Sequence, residues 1–274
     1  MPNVIYLHSL GEGKLSPPKL WRNRVGKKSN RTVLFIGGLD SSGGAGLDRD
    51  RRTAEGLGCT VRGAATAVTV QGQYGVEAIE KVSPEILRLQ IETHLREDKP
   101  RAIKIGALFG EDQISLIKTI LKEWKKVHPH SIIVADPVFA PTHGPAFLQK
   151  EEIESYRSLL SLLDVITPNK RELELLGDHK TESPREGEMV AWKLACEFNI
   201  SCILTGGHFP GRRLREKVVT PEKTFTYTKR RRALSHTHGT GCCLSSALTA
   251  YLAKGDSLKR AFSRATKLVT RQMK

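Results

Sequence analysis

Apolar strands alternate with amphipathic helices along most of this chain, and that alternation restricts its fold more than any other feature. Six short apolar segments are predicted strands, at 32–36, 63–70, 101–105, 131–135, 164–167 and 201–205. Helical patterns end near 57 and cover about 83–96, 111–126, 151–160, 170–176 and 184–198, with a short hairpin and two helices after them. The alternation predicts a mainly parallel sheet with right-handed crossovers and helices on both faces.

A polar residue or a glycine motif follows each predicted strand. These residues are Asp40, Gln71, Gly106, Asp136, Asn169 and Gly206. In parallel sheets of this kind, ligands bind beyond the carboxyl ends of the strands. One edge of the sheet is therefore the predicted ligand site.

A glycine-rich loop at 235–243 runs into a helix whose apolar positions are 244, 247, 248, 251 and 252. That spacing predicts one buried helical face, and Gly255 is a plausible end. Gly239 and Gly241 flank Thr240, so no bulky side chain covers the backbone N–H groups there. A helix N-terminus has unpaired N–H groups and a partial positive charge, and it binds phosphate readily. Cys242 lies at this end, where a thiol pKa tends to fall, so the loop indicates phosphoryl transfer.

A second glycine-rich turn, Gly37 to Gly46, follows the first strand. Taken alone it is a weak indication of phosphate binding. Its spacing is not the G-x-G-x-x-G pattern with a later acidic ribose anchor, and the chain has no G-x-x-x-x-G-K-[ST] motif. A dinucleotide site is therefore not the first choice.

The composition bounds the class of protein. A chain of 274 residues with 39% hydrophobic residues suits one large α/β domain or two small ones. We read residues 1–30, with their prolines, glycines and basic residues, as a flexible extension and 31–274 as the folded domain. No apolar run reaches the length of a membrane span. Five cysteines without C-x-x-C spacing indicate a reducing, cytoplasmic compartment, and the nine histidines form no metal-ligand motif.

The net charge of +15 raises the question of a nucleic-acid partner. The basic residues concentrate in the extension, at 212–217, at 229–232 and near the C-terminus. Aromatic residues do not interleave these runs, as a base-stacking surface would require. We interpret the runs as solvated faces that also attract phosphorylated substrates.

Seven motifs occur in order from residue 42 towards the C-terminus. They are Ser42-Gly43-Gly44-Ala45-Gly46 with Asp50, Thr66-Ala67-Val68-Thr69-Val70-Gln71, Lys104-Ile105-Gly106, Asp136-Pro137-Val138, Ile166-Thr167-Pro168-Asn169, Gly206-Gly207-His208 and Thr237-His238-Gly239-Thr240-Gly241-Cys242. Together they resemble the hydroxymethylpyrimidine/phosphomethylpyrimidine kinases of thiamine biosynthesis, in the ribokinase-like superfamily. The cysteine narrows the resemblance, because most of the superfamily has aspartate at that position. The resemblance implies a ribokinase-like three-layer sandwich and, by analogy, a homodimer.

The resemblance also implies a reaction, cofactors and residue roles. ATP, with Mg²⁺, would phosphorylate 4-amino-5-hydroxymethyl-2-methylpyrimidine and then its monophosphate. Cys242 would accept the proton of the attacking hydroxyl, and the backbone of Gly239, Thr240 and Gly241 would form an anion hole. The remaining roles are a pyrimidine site at Gly38, Asp50, Gln71, Ala107 and Val138, a nucleotide site at Asn169, Thr205, Gly207, His208 and Thr240, and a metal site at Asp136, Asn169 and Glu172. By residue type alone, Asp50 reads as a surface acid of a helix and Cys242 as a small buried residue.

Three positions depart from the family pattern. The family commonly has lysine at the position of Thr205 and in the loop around Thr142, and methionine at the position of Ala107. The first two departures remove cations expected near phosphates, and the third reshapes the pyrimidine pocket. Two alternatives therefore stay open: a pyridoxal or pyridoxine kinase on the same scaffold, and a pyrimidine-binding homologue with impaired turnover. Retention of both phosphorylation steps also stays open.

Overall fold

The computed structural model describes residues 31–72, 74–141, 144–205, 213–230 and 239–272. Within these ranges the strands are β1 (Thr32–Asp40), β2 (Thr60–Gly72), β3 (Gly75–Lys81), β4 (Ala102–Ile105), β5 (Ile132–Ala135), β6 (Val165–Ile166), β7 (Ser201–Leu204), β8 (Arg213–Val219) and β9 (Thr224–Arg230). The helices are α1 (Gly46–Gly56), α2 (Pro84–Asp98), α3 (Glu111–Val127), α4 (Lys150–Arg157), α5 (Lys170–Gly177), α6 (Pro184–Phe198), α7 (Thr240–Ala253) and α8 (Leu258–Gln272). The predicted extension at 1–30 lies outside the described residues.

All of these strands form one sheet in the order β3-β2-β1-β4-β5-β6-β7-β8-β9. The six strands from β2 to β7 in that order pair in parallel, and the pairs β2–β3, β7–β8 and β8–β9 are antiparallel. The prediction of a mainly parallel sheet is confirmed. Because the parallel strands share one direction, their carboxyl ends meet at one edge.

Helices cover both faces of the sheet, as the strand pattern predicts. Leu34 and Ile36 of β1 belong to the core cluster that includes residues of α2 to α6. Val33 and Phe35 alternate with them and belong to the cluster on the opposite face, with residues of α1 and α7. A strand buried on both faces reads as a continuous apolar run, which is the pattern of this segment. The three-layer sandwich is therefore confirmed.

Helix α7 differs from its prediction in two respects. It begins at Thr240, so the last four residues of the predicted loop, 240–243, are already helical. The predicted buried positions lie in one cluster with α8, but Ala250 and Ala253 are also buried, in the cluster beside β1. The prediction of a single buried face is wrong, since the helix is buried from Cys243 to Ala253 on all sides. A helix that is buried all round lies in the interior of the fold.

Strand β3 is not among the strands predicted from the sequence. Its sequence, GVEAIEK, leaves most of its side chains exposed, so the strand has no strong alternation of apolar and polar positions. It forms through antiparallel pairing with β2 at the edge of the sheet.

In the described ranges, no helix is both long and apolar enough to cross a lipid bilayer.

Candidate active site

Two glycine-rich loops meet at the carboxyl edge of the sheet, one after β1 and the other at the start of α7. Gly239 has a φ of +76°, and a Cβ placed there would lie 2.0 Å from the Gly44 carbonyl oxygen. Gly46 has a φ of +55°, and a Cβ there would lie 2.3 Å from the Gly38 carbonyl oxygen. Only glycine suits both the left-handed backbone and the close contact at these positions. The predicted anion hole is therefore packed directly against the first loop.

Asp40, the last residue of β1, holds the first loop in shape. Its Oδ1 accepts hydrogen bonds from the N–H and the hydroxyl of Ser42 at 2.9 and 2.8 Å, and its Oδ2 accepts one from the Ala45 N–H at 2.8 Å. Arg49 then ties the two loops together, because its Nε donates to the Gly44 carbonyl at 3.1 Å beside the second loop. The junction thus carries a guanidinium cation, to which the sequence reasoning gave no role.

Cys242 lies half-buried in the first turn of α7, with the Gly46 N–H directed at its sulfur. Burial raises the pKa of the thiol to about 12, and the nearby carboxylates of Asp50 and Asp136 act in the same direction. The Lys104 ammonium and the Gly46 N–H oppose this shift without reversing it. The expectation of a lowered thiol pKa is therefore wrong for this structure. Desolvation of the thiolate outweighs the helix N-terminus.

A buried ion pair lies next to Cys242. The Lys104 Nζ is 2.6 Å from Asp50 Oδ1, and the two side chains are 1% and 2% exposed. The Ser246 hydroxyl also donates to Asp50 Oδ1. Burial disfavours the lysine charge, but Asp50, Cys242 and Asp136 outweigh it and raise the pKa of Lys104. Lys104 therefore stays protonated, and the reading of Asp50 as a surface acid is wrong.

Asp136, which follows β5, is fixed from two sides. The Thr167 hydroxyl donates to its Oδ1 at 3.2 Å, and the Ser245 hydroxyl of α7 donates to its Oδ2 at 2.9 Å. A Cβ placed on Gly241 would lie 3.8 Å from Asp136 Oδ2. The carboxylate therefore faces the predicted anion hole from the sheet side.

Asn169 and Glu172 form the capping box that opens α5. The Asn169 side chain accepts from the Glu172 N–H at 3.0 Å, and Glu172 Oε2 accepts from the Asn169 N–H at 2.7 Å. Glu172 is 7% exposed, and burial together with the charge of Asp136 raises its pKa well above the usual range. The two carboxylates, both buried, thus repel one another, and their role as metal ligands stays a prediction.

Comparison of this chain with known proteins identifies its family. The family model described as phosphomethylpyrimidine kinase matches residues 40–274. The chain belongs to the phosphomethylpyrimidine kinase family. It is 32% identical over 239 residues to the hydroxymethylpyrimidine/phosphomethylpyrimidine kinase of Bacillus subtilis, covering 86% of this chain and 87% of that protein. It also matches a thiamine biosynthesis multifunctional protein of Corynebacterium efficiens, 30% identical, of which it spans 32% of the length.

Solved structures agree with the family assignment. A phosphomethylpyrimidine kinase from Clostridium difficile superposes with a TM-score of 0.76 at 30% identity, covering 89% of this chain and 99% of that one. A pyridoxal kinase from Bacillus subtilis, solved as an ADP complex, gives a TM-score of 0.79 at 27% identity and covers 87% and 90% of the two chains. The predictions of a ribokinase-like fold and of a phosphotransferase are confirmed.

The pyrimidine-site residues predicted from the family come from the ends of four adjacent strands. Gly38, in β1, lies beside the ring of Phe109, which a Cβ there would approach to 3.7 Å. The Ala107 carbonyl after β4 accepts a hydrogen bond from Thr66 at 2.8 Å. The other two, Gln71 of β2 and Val138 after β5, are half-buried. The fifth residue, Asp50, lies in α1 and pairs with Lys104 of β4. Its contact with a pyrimidine stays a prediction.

Three of the predicted nucleotide residues, Asn169, Thr205 and Thr240, lie within the described part of the chain. Asn169 and Thr205 line one small cavity of about 30 Å³ at the end of β7, together with Leu204. Thr240 is the first residue of α7. The remaining residues of this prediction, Gly207 and His208, lie outside the described residues, as does Thr142.

Several residues of the site escaped the sequence reasoning. Lys104 stands in a motif of the resemblance, yet its partner Asp50 is 54 positions away. Ser245 and Ser246 read as ordinary helix residues, although their hydroxyls contact Asp136 and Asp50. A hint was available, since three polar residues (Ser245, Ser246 and Thr249) interrupt an otherwise apolar helix.

Proposed function

We propose that this chain transfers the γ-phosphoryl group of ATP to the hydroxymethyl group of 4-amino-5-hydroxymethyl-2-methylpyrimidine, and then phosphorylates the monophosphate, in thiamine biosynthesis. The observation that carries the proposal is the convergence of both glycine loops, Cys242 and Asp136 at the carboxyl edge of a sheet of this family. We also propose the cytoplasm as its location and a homodimer as its assembly. The five separate thiols suit a reducing compartment.

The anion hole supplies the main catalytic effect in this proposal. In phosphoryl transfer, negative charge spreads over the oxygens of the transferred group, and positioning plus electrostatics dominate. The N–H groups of Gly239, Thr240 and Gly241 stand at the positive end of α7, where such charge is stabilised. Arg49, fixed to the first loop, adds a cation beside them.

Cys242 is the proposed acceptor of the proton from the attacking hydroxyl. A thiolate with a pKa of about 12 is a strong base, but little of it exists at pH 7. We therefore expect kcat to rise with pH through the neutral range. The Lys104 ammonium and the Gly46 N–H are the groups that favour the thiolate once it forms.

Asp136, Asn169 and Glu172 are the proposed holders of Mg²⁺. The donor set fits a hard cation, because it consists of two carboxylates and an amide oxygen. The Thr167 and Ser245 hydroxyls fix the Asp136 carboxylate, and the cap fixes Glu172. When bound, the ion would neutralise charge on the ATP phosphates. The hydroxyls and the cap thus hold both carboxylates in place, and the Asp136 carboxylate lies beside Gly241 of the anion hole.

Product analysis by mass spectrometry, with ATP, Mg²⁺ and the hydroxymethylpyrimidine, tests the proposal. We expect both the monophosphate and the diphosphate to form. Cys242→Ala should lose most turnover while binding of an ATP analogue stays near wild type. Tight pyrimidine binding with no phosphorylated product would instead identify a homologue with impaired turnover. A Cys242→Ala variant with near-wild-type kcat would remove that residue from the base role.

A pyridoxal kinase is the second candidate. It is favoured by the superposition on solved pyridoxal kinases and by Ala107, a smaller residue than the family's methionine in the pyrimidine pocket. The same mass assay with pyridoxal as acceptor separates the two functions. Pyridoxal phosphate formed without any pyrimidine phosphate would replace the first proposal with the second.

A further inference from the structure

One buried hydroxyl beside the proposed metal site has no hydrogen-bond partner. Tyr156, on α4, is 1% exposed, and its ring packs edge-on against Phe139 with 5.0 Å between centroids. Its hydroxyl finds neither donor nor acceptor among the described residues. A buried hydroxyl without a partner destabilises a fold, whereas phenylalanine would fill the same space without that penalty.

The surroundings of this hydroxyl point to what could meet it. It interacts electrostatically with the carboxylates of Asp136 and Glu172, which approach from β5 and α5. The Asp136 carboxylate already accepts hydrogen bonds from the Thr167 and Ser245 hydroxyls. The Glu172 carboxylate accepts one from the Asn169 N–H in the capping box. The hydroxyl is therefore within electrostatic range of the two proposed metal ligands, and it donates no hydrogen bond to any described residue.

We propose that the Tyr156 hydroxyl is a positioning group for the metal–phosphate site, donating a hydrogen bond to a carboxylate oxygen or a metal-bound water between Asp136 and Glu172. The proposal rests on the function proposed above. Outer hydrogen bonds of this kind orient metal ligands and commonly decide affinity. Tyr156 touches neither the substrate nor the reacting atoms, so its effect passes through the carboxylates. Occupation of the site would give the hydroxyl the partner that it lacks.

The experiment compares Tyr156→Phe with Tyr227→Phe. The Tyr227 hydroxyl donates to the Lys259 carbonyl at 2.9 Å, on the surface hairpin, so its loss removes a satisfied hydrogen bond away from the carboxylates. Mn²⁺ affinity is measured by electron paramagnetic resonance, with and without AMP-PCP, and Tm is measured without metal. We expect Tyr156→Phe to weaken Mn²⁺ binding on the order of tenfold with a Tm that does not fall. Tyr227→Phe should keep the Mn²⁺ affinity and lower the Tm slightly.

A double variant shows whether the effect passes through the carboxylates. In a Glu172→Gln background, Tyr156→Phe should weaken Mn²⁺ binding by much less than it does in the wild type. Wild-type Mn²⁺ affinity in Tyr156→Phe would overturn the proposal, as would an intact chain that binds no Mn²⁺ at all. Because Mn²⁺ binding is read without turnover, a chain that makes no phosphorylated product can still confirm the role of Tyr156.

Discussion

Replacing Lys104 by methionine is the sharpest test of how the charges inside this site are arranged. Lys104→Met keeps most of the side-chain volume and removes the ammonium that lies 2.6 Å from Asp50 Oδ1. The carboxylate stays behind in a site where both partners are 2% exposed or less, so solvent does not screen it. Cys242 loses the same cation, so the variant perturbs the fold and the proposed base together.

The size of the effect follows from that burial. Removing one partner of a buried pair costs about 3–5 kcal/mol, because the remaining charge is uncompensated. For a chain of this size, 1 kcal/mol lowers Tm by about 2 °C, so we expect a fall of about 6–10 °C. Asp50→Asn in the same background removes the stranded charge, and the double variant should regain part of the loss.

The loss also depends on pH in a fixed direction. Burial raises the pKa of Asp50, and Lys104 is the largest influence lowering it, so its removal raises that pKa further. A carboxyl with a raised folded-state pKa contributes stability that is fully present below its unfolded pKa, about 3.9, and is lost as pH rises through the folded value. The free energy of unfolding of Lys104→Met should therefore be closest to the wild-type value at about pH 5 and furthest below it at about pH 8.

Urea unfolding at the two pH values, followed by circular dichroism, measures both effects. Lys126→Met is the control, because Lys126 pairs with Glu123 on the surface with side chains 61% and 63% exposed. It should stay within about 0.5 kcal/mol of wild type. A loss of less than about 1 kcal/mol for Lys104→Met, equal at the two pH values, would show that the pair is not a buried, unscreened one.

Three further predictions concern the loops and the cap. Iodoacetamide should label exposed Cys196 before Cys242 at pH 8, and the labelling rate of Cys242 should rise steeply towards pH 12. Peptide mass spectrometry measures both rates, and equal rates at pH 8 would contradict the raised pKa of the Cys242 thiol. Gly239→Ala should abolish turnover and lower stability by about 1–3 kcal/mol. The control, exposed Gly56→Ala, places a Cβ that meets nothing within 4 Å, so it should leave activity unchanged in the same assays. An active Gly239→Ala enzyme would show that turnover does not need the loop junction. Asn169→Ala should lose about 1 kcal/mol of stability with its cap while Asn169→Asp keeps it; equal thermal unfolding of the two would exclude the capping role.

Much of the fold could be predicted because it depends on local patterns. The bounds of α6 agree with the prediction at both ends, since Ser183 and Pro184 mark its start and the apolar period is strong. The edge strand β3 escaped prediction because its pairing with β2, not its own pattern, makes it a strand. In the site, the glycine positions could be predicted because steric demands select the residue directly.

Sequence alone is enough to predict the parallel sheet, the edge that carries the loops, and the family. Periodicity and glycine placement are properties of neighbouring residues, so they can be read without knowing what packs against them. Three features depend on the folded arrangement: Asp50 faces Lys104, the pKa of Cys242 rises, and Tyr156 has an unpaired hydroxyl. Each of these depends on burial among groups distant in sequence, because desolvation and charge act through space.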